Sequence, residues 1–257
     1  MAVPKRRRSR TFVFAVGASV LVGLVTGCGN TDVAGAPVER KAFPFSGATL
    51  TIDADDSELV VVPADVKDVR VARQVDGWVA FGEGPVPHWK LEDGRLTLGV
   101  TCKALAGDCR ARHEVEVPRG VAVTAEDDNG DVTADGFATA LKVTSDNGRV
   151  TVRNSSGPLD LRSDNGEIAV TRSTPKRVVA RADNGEVSLA LGAAPDRVDT
   201  VSDNGAVTIE LPAGAAYAVD AESGNGEVDV DVATDPRSAH VVNARSDNGE
   251  VTVRGAN

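Results

Sequence analysis

Six aspartates stand one residue before an Asn-Gly pair: Asp128, Asp146, Asp164, Asp183, Asp203 and Asp247. Four glutamates follow the glycines directly, at Glu167, Glu186, Glu227 and Glu250. Carboxylates repeated at a regular interval could hold calcium, which takes oxygen ligands and would suit a stacked column. The competing chemistry is local, because an Asp before Asn-Gly can accept backbone N–H groups and form a turn. The pattern is not the glycine-rich nonapeptide of calcium-binding β-rolls, and the two readings stay side by side. Calcium is the one cofactor the residues suggest. A second reactive set is the cysteines. Cys102 and Cys109 are spaced for a disulfide that staples a short loop around Gly107, and six intervening residues with His113 nearby do not make a four-ligand zinc site. His88, His113 and His240 lie in unrelated contexts and read as surface or strand residues. Nucleophile-elbow, zincin and phosphate-loop motifs are missing, so the residues point away from an enzyme.

The aspartates belong to a repeat. Its corner pairs are Asn129-Gly130, Asn147-Gly148, Asn165-Gly166, Asn184-Gly185, Asn204-Gly205, Asn225-Gly226 and Asn248-Gly249, and the glycines are spaced by 18, 18, 19, 20, 21 and 23 residues. Around each glycine four columns are apolar or small, at −7, −5, +2 and +4, as in Leu141, Val143, Val150 and Val152 about Gly148. Each repeat therefore reads as strand, tight corner, strand, looser loop, with one apolar face. Helical periodicity is absent and the fold class is all-β. Two packings satisfy the columns. One is an antiparallel meander of Asn-Gly hairpins. The other is a β-solenoid, resembling a β-helix, of about seven to eight short coils, with like positions stacked about 4.8 Å apart and seven coils rising about 30 Å. The corner keeps its length while all extra residues enter the opposite loop, at 191–197 and 234–240, and this favours the solenoid. Stacking also explains the recurring Asn, whose amide can donate to a neighbouring copy in a ladder. Gly and Asn would in addition tolerate positive φ at a tight corner.

The chain divides accordingly. Lys5, Arg6, Arg7, Arg8 and Arg10 precede an apolar run at 11–25, and Val25-Thr26-Gly27 leads to Cys28. This is the layout of a secretory signal over residues 1–27 whose ending resembles a bacterial lipobox, which implies a diacylglycerol on the Cys28 sulfur. Residues 28–37 are small and polar, a flexible tether. Residues 38–120 form an N-terminal β cap, which begins with a worn repeat copy (Asp55-Asp56-Ser57 for Asp-Asn-Gly) and carries the Cys102–Cys109 loop, a turn at 82–87, and both tryptophans. Trp78, Phe81 and Trp89 there either fill the cap's core or line a carbohydrate or peptide groove. Residues 121–257 are the repeat array.

Charge narrows the partners. Five of the 28 basic residues and none of the 38 acids lie in the leader, so its removal takes the formal net charge from −10 to −15. Such a surface repels nucleic acid. Only 4% of residues are aromatic, so the core must be built from Val, Leu, Ile and Ala.

The lipobox, Val117-Pro118-Arg119-Gly120 and the repeated Asp-Asn-Gly-Glu-Val-x-Val resemble the bacterial "putative adhesin" family of β-strand-repeat envelope proteins, over roughly residues 43–253. The resemblance implies a β-solenoid on the outer face of the cell membrane, and no catalytic residues. The expected function is a lipid-anchored extracytoplasmic protein presenting a repetitive β surface to a wall polymer or envelope protein. One alternative is a sensory module in envelope-stress signalling through a membrane partner; another is an enzyme acting on wall glycans.

Overall fold

The structure is a computed structural model, and it describes residues 33–256; Cys28 and the leader lie outside them. Thr31–Asn257 forms a compact unit with its own continuous hydrophobic core. A 3-10 turn, Val33–Gly35, precedes nineteen strands. The first five are β1 (Glu39–Phe43), β2 (Thr49–Asp55), β3 (Ser57–Ala64), β4 (Val69–Glu92) and β5 (Arg95–Pro118). The array follows as pairs: β6 (Ala122–Asp127) and β7 (Val132–Asp135), β8 (Leu141–Ser145) and β9 (Val150–Arg153), β10 (Leu159–Ser163) and β11 (Ile168–Ser173). Then come β12 (Arg177–Ala182) and β13 (Val187–Leu191), β14 (Arg197–Ser202) and β15 (Val207–Leu211), β16 (Ala218–Ser223) and β17 (Val228–Asp231), and β18 (Val241–Ser246) and β19 (Val251–Gly255).

Within the array like positions stack in parallel and in register, as in Leu141↔Leu159↔Val178↔Val198 on one side of the Asn-Gly corner and Val150↔Ile168↔Val187↔Val207 on the other. The fold is thus a β-solenoid with two parallel sheets, and the hairpin meander is ruled out. Alternation explains why: with period two, every second residue faces inward, and in-register stacking places each Val or Leu on its equivalent. All four apolar columns are buried between the sheets in every coil except that of β16 and β17. Small β-branched side chains suffice because the sheets are close and the columns continuous.

The cap continues the same stack. β2 and β3 pair in register with β6 and β7, matching Ala54 to Asp127 and Leu59 to Val132, so the worn copy is a true coil. β5 supplies both halves of a further layer by itself: Arg95–Gly99 lies on β2 and Ala111–Pro118 on β3. β4 then runs antiparallel over β5, and β1 antiparallel along β4. Most of the cap is therefore two long strands joined at Asp93-Gly94, both at positive φ as a tight hairpin turn needs. Residues 82–87, expected as a turn, lie inside β4, and its pairing with β5 shifts register between Glu83 and Val86.

At the far end the chain departs from sequence order. β18 lies between β14 and β16, and β19 between β15 and β17. The seventh motif copy thus occupies an inner slot and the sixth forms the spatial end. Longer connections make the exchange feasible. Tyr217, buried on the first of them, donates its hydroxyl to the Pro212 carbonyl (2.9 Å) and packs against His240 (ring centroids 5.9 Å). His240 Nδ1 in turn lies 2.7 Å from the Pro195 carbonyl.

Candidate functional site

The corner is built by three side chains with separate tasks. Serine, not aspartate, holds the turn: the Ser145 and Ser163 hydroxyls accept from the Gly148 and Gly166 N–H groups at 2.9 and 2.8 Å. The same serine position donates to the adjoining coil's glycine carbonyl, as in Ser163 to Gly148 (3.2 Å), Ser202 to Gly185 (2.9 Å) and Ser246 to Gly205 (2.8 Å). Asparagine makes the predicted ladder. Each Nδ2 donates to the Oδ1 of the Asn on the neighbouring coil: Asn147 to Asn129, Asn165 to Asn147, Asn184 to Asn165, Asn204 to Asn184, Asn248 to Asn204 and Asn225 to Asn248, at 2.8–3.1 Å. Asn129 Nδ2 ends the ladder on the Asp56 carboxylate. Glycine is needed for proximity. A Cβ on Gly148, Gly166, Gly185 or Gly205 would overlap the carbonyl of the preceding corner glycine, except that at Gly130 the overlap is with Ser57. Positive φ, the expected reason, is absent from these corner Asn and Gly residues; only the worn corner has it, at Asp56 (φ 51°). Close backbone approach selects Gly here, as free φ does elsewhere.

The aspartate column points outward and is exposed or half-exposed along its length. Among the described residues its members accept none of the corner N–H groups expected of them: the Ser145 and Ser163 hydroxyls do so at Gly148 and Gly166, and Asp127 does so at Gly130. Arginines interleave the column: Arg162 lies 3.1 Å from Asp164 and 3.3 Å from Asp183, and Arg245 lies 3.1 Å from Asp247. Among the described residues no group of three or more His, Cys, Asp or Glu converges as a metal site.

Two corners break the serine rule: Ala182 has no hydroxyl, and Asp127 stands where most later coils have Ser. The Asp127 Oδ1 accepts from Gly130 and Asn129 N–H. Oδ2 is buried without a partner, as is the Ser57 hydroxyl. Burial drives its pKa up to about 7, with the two N–H bonds opposing and the Asp128 and Asp56 charges adding to the rise. The residue replacing Ser was visible in the sequence, but not its burial.

At the N-terminal end the aromatic residues divide. Trp89 is half-buried in the cap, edge-on to Phe43 (centroids 6.2 Å), with the Arg73 guanidinium 3.8 Å over its ring. Arg73 also binds Glu39 on β1 (2.6 Å), tying the edge strand down. Of the two settings expected for His113, surface or strand, the structure has the strand: it lies in β5 opposite Arg73 of β4 and is wholly buried, and burial, then Arg73, pulls its imidazole down to about 4, so it stays neutral. Trp78 and Phe81 are outside the core. Between its two stacked halves β5 leaves the corner together with β4, and the paired segments 76–87 and 100–110 form an arch. The Cys102–Cys109 disulfide spans it, with Cα atoms 6.3 Å apart. Its surface carries Phe81 (88% exposed), Leu105 (90%), Val86 (56%) and Trp78 (49%). Sequence reasoning flagged Trp78 and Phe81 but not Leu105, since apolar residues in a strand give no sign of which way a ribbon bends.

The outward row of the β3-side sheet is a repeated surface of small side chains. Thr133, Thr151, Ala169, Ser188, Thr208 and Thr252 stand in register, half-buried, one strand apart.

Solved structures share this architecture. A putative adhesin from Bacteroides fragilis matches with a TM-score of 0.52 at 13% identity, covering 86% of this chain and 97% of that one. A putative adhesin from Parabacteroides merdae (TM-score 0.38, 17% identity, 87% and 97% covered) and a putative cell adhesion protein from Clostridium sporogenes (0.38, 13%, 86% and 99%) match over similar spans. At these identities the likeness concerns the fold, and it rests on the first of the three. No curated protein matches the chain. The family model described as Toastrack DUF4097 matches residues 60–254, from the worn coil to the end of the swapped one. The solenoid sheets and their Asn-Gly corners are what that match spans, and the chain belongs to the Toastrack DUF4097 family.

Proposed function

We propose that this protein is a non-enzymatic, lipid-anchored extracytoplasmic protein that presents a repetitive β face to a cell-envelope polymer. The observation that carries the reading is the Thr/Ser/Ala row from Thr133 to Thr252. Each hydroxyl is both donor and acceptor, and the row repeats at about 4.8 Å along a parallel, in-register sheet. A surface of that kind suits a partner whose own polar groups repeat. The acidic body favours a neutral or cationic polymer over nucleic acid. Cys28 provides the attachment and places the solenoid outside the cytoplasmic membrane. Adhesin-like descriptions of proteins with this fold agree with the reading.

The test is co-sedimentation with purified cell-wall sacculi. Thr151→Arg with Thr208→Arg raises two long side chains on the row without touching the core. Retention should fall at least tenfold relative to the parent. Equal retention of parent and double variant would remove the row as the binding face, and hydrolysis of the sacculi would overturn the non-enzymatic reading.

A further inference from the structure

The arch is the one part of the solenoid whose largest side chains point away from it. Phe81 and Leu105 face each other across the ribbon, bracketed by the pairs Ala80↔Ala106 and Gly82↔Ala104, and they are the most exposed large apolar residues described. Phe81 adopts φ 57°, a backbone state that a bulky aromatic residue rarely occupies. A Cβ on Gly77, Gly82 or Gly107 would overlap backbone of the opposing strand, so the two strands of the ribbon approach closely there. The Cys102–Cys109 disulfide closes the arch below the tip.

We propose that the arch tip is a lipid-contacting wedge, which enters the outer leaflet beside the Cys28 anchor and sets the solenoid's orientation on the membrane. This rests on the lipid-anchor reading of Cys28. Three observations select a lipid surface as the occupant. First, the described chain starts at the foot of the arch: Val33 lines a cleft with Arg110 and Ala111, and Gln74 Nε2 donates to the Ala34 and Ala36 carbonyls at 2.9 and 3.0 Å. Second, the reaches match. Cys28 is five residues from Val33, about 17 Å of extended chain, and Leu105 is four residues from Cys109, about 13 Å of strand. Third, the arch carries little net charge. Between the stacked halves, segments 76–87 and 100–110 carry Asp76, Glu83 and Asp108 against Lys103 and Arg110, a net charge of −1. Two large apolar side chains on a weakly charged, rigid tip bind by burial rather than by charge attraction, and such binding survives salt.

The experiment uses residues 29–257, which contain the whole compact unit but no lipid site and no apolar leader. Phosphatidylcholine vesicles and 1:1 phosphatidylcholine–phosphatidylglycerol vesicles are the probes, read by co-sedimentation and by the emission of Trp78. Binding to both compositions, a blue-shifted emission and little loss in 0.5 M salt are expected. Phe81→Ser with Leu105→Ser should lower the partition coefficient about tenfold or more while leaving the melting temperature unchanged, since both side chains lie outside the core. No sedimentation of the parent, equal sedimentation of the double variant, or self-association of the parent that the double variant lacks would each overturn the proposal. Labelling full-length protein in cells with a radioactive fatty acid reports separately on the anchor. If Cys28 takes no label, the anchor reading fails while the vesicle result still stands or falls by itself.

Discussion

The two ends of the solenoid meet the same hazard, an open row of backbone N–H and C=O groups, in opposite ways. At the N-terminal end the chain adds dedicated structure: β4 and β1 turn antiparallel, Arg73 stacks on Trp89 and binds Glu39, and the edge is closed by residues found nowhere in the array. At the other end nothing is added. The last coil is drawn inward, and the β16–β17 coil is left as an exposed margin, with every residue of β17 exposed, including Val228 and Val230. One end is protected by new sequence and the other by rearranging old sequence. Identical local motifs therefore have different worth according to slot.

The sharpest way to break this comparison is truncation. Ending the chain after Arg237 removes β18 and β19, and because these lie between two other coils it should also strip β16 and β17 of their partners. Limited proteolysis should then digest everything beyond Leu211, and the melting temperature should fall by about 10 °C or more. Survival of residues 218–231 as a protected fragment would show that the coils stack in sequence order.

Next in size are the corner glycines. Gly205→Ala drives a Cβ into the Gly185 carbonyl inside the stack and should cost about 3 kcal/mol in urea unfolding. Gly226→Ala makes the same overlap with Gly249, but in the terminal coil, which can shift outward. Its cost should be less than half as large.

Asp127 adds a pH axis at the N-terminal side. Its carboxyl titrates near 7 when folded and near 3.8 when unfolded, so the folded state holds its proton longer. Stability is fully present below pH 4, declines as pH rises, and levels off above 7. Between pH 5 and 8 the loss should be about 2–3 kcal/mol. Asp127→Ser, which installs the residue used at most later corners, should flatten that profile in denaturant titrations.

The smallest contrast is within the Asn ladder. Asn165 both donates to Asn147 and accepts from Asn184, whereas Asn225 at the margin donates to Asn248 alone among the ladder residues. Asn165→Ala should cost about 1–2 kcal/mol and Asn225→Ala about half a kcal/mol. Equal costs would mean that the ladder does not act as a chain.

Much of this could be read from residues because a solenoid repeats its physics. The columns about Gly148 recur with period two, so burial of Leu141, Val143, Val150 and Val152 followed from alternation, and the Asn ladder from the stacking that alternation permits. Even the worn corner was legible, since Asp56 keeps a side-chain oxygen where Asn129 needs an acceptor. What escaped was set by relations between coils rather than within them. The sixth and seventh copies carry the same consensus, so nothing local distinguishes the inner slot from the margin. Serine's role at the corner depends on which hydroxyl faces the glycine N–H, and aspartate has equal claim on paper. The exposure of Phe81 and Leu105 belongs to a ribbon that leaves the stack between the two halves of β5, which no spacing rule encodes.

The exchanged coils also change how the molecule would bear a load. A solenoid whose chain end is its spatial end can be peeled like tape, one rung row at a time, starting from the terminus. Here the terminal segment is gripped on both flanks, β18 by β14 and β16 and β19 by β15 and β17, so a pull on the C-terminus must shear two ladders at once. Assembly bears the mirror image of that resistance. The margin coil is synthesised before the coil that holds it, so zippering from the N-terminus should stall at β15 until β18 and β19 have arrived to lock the remainder in place.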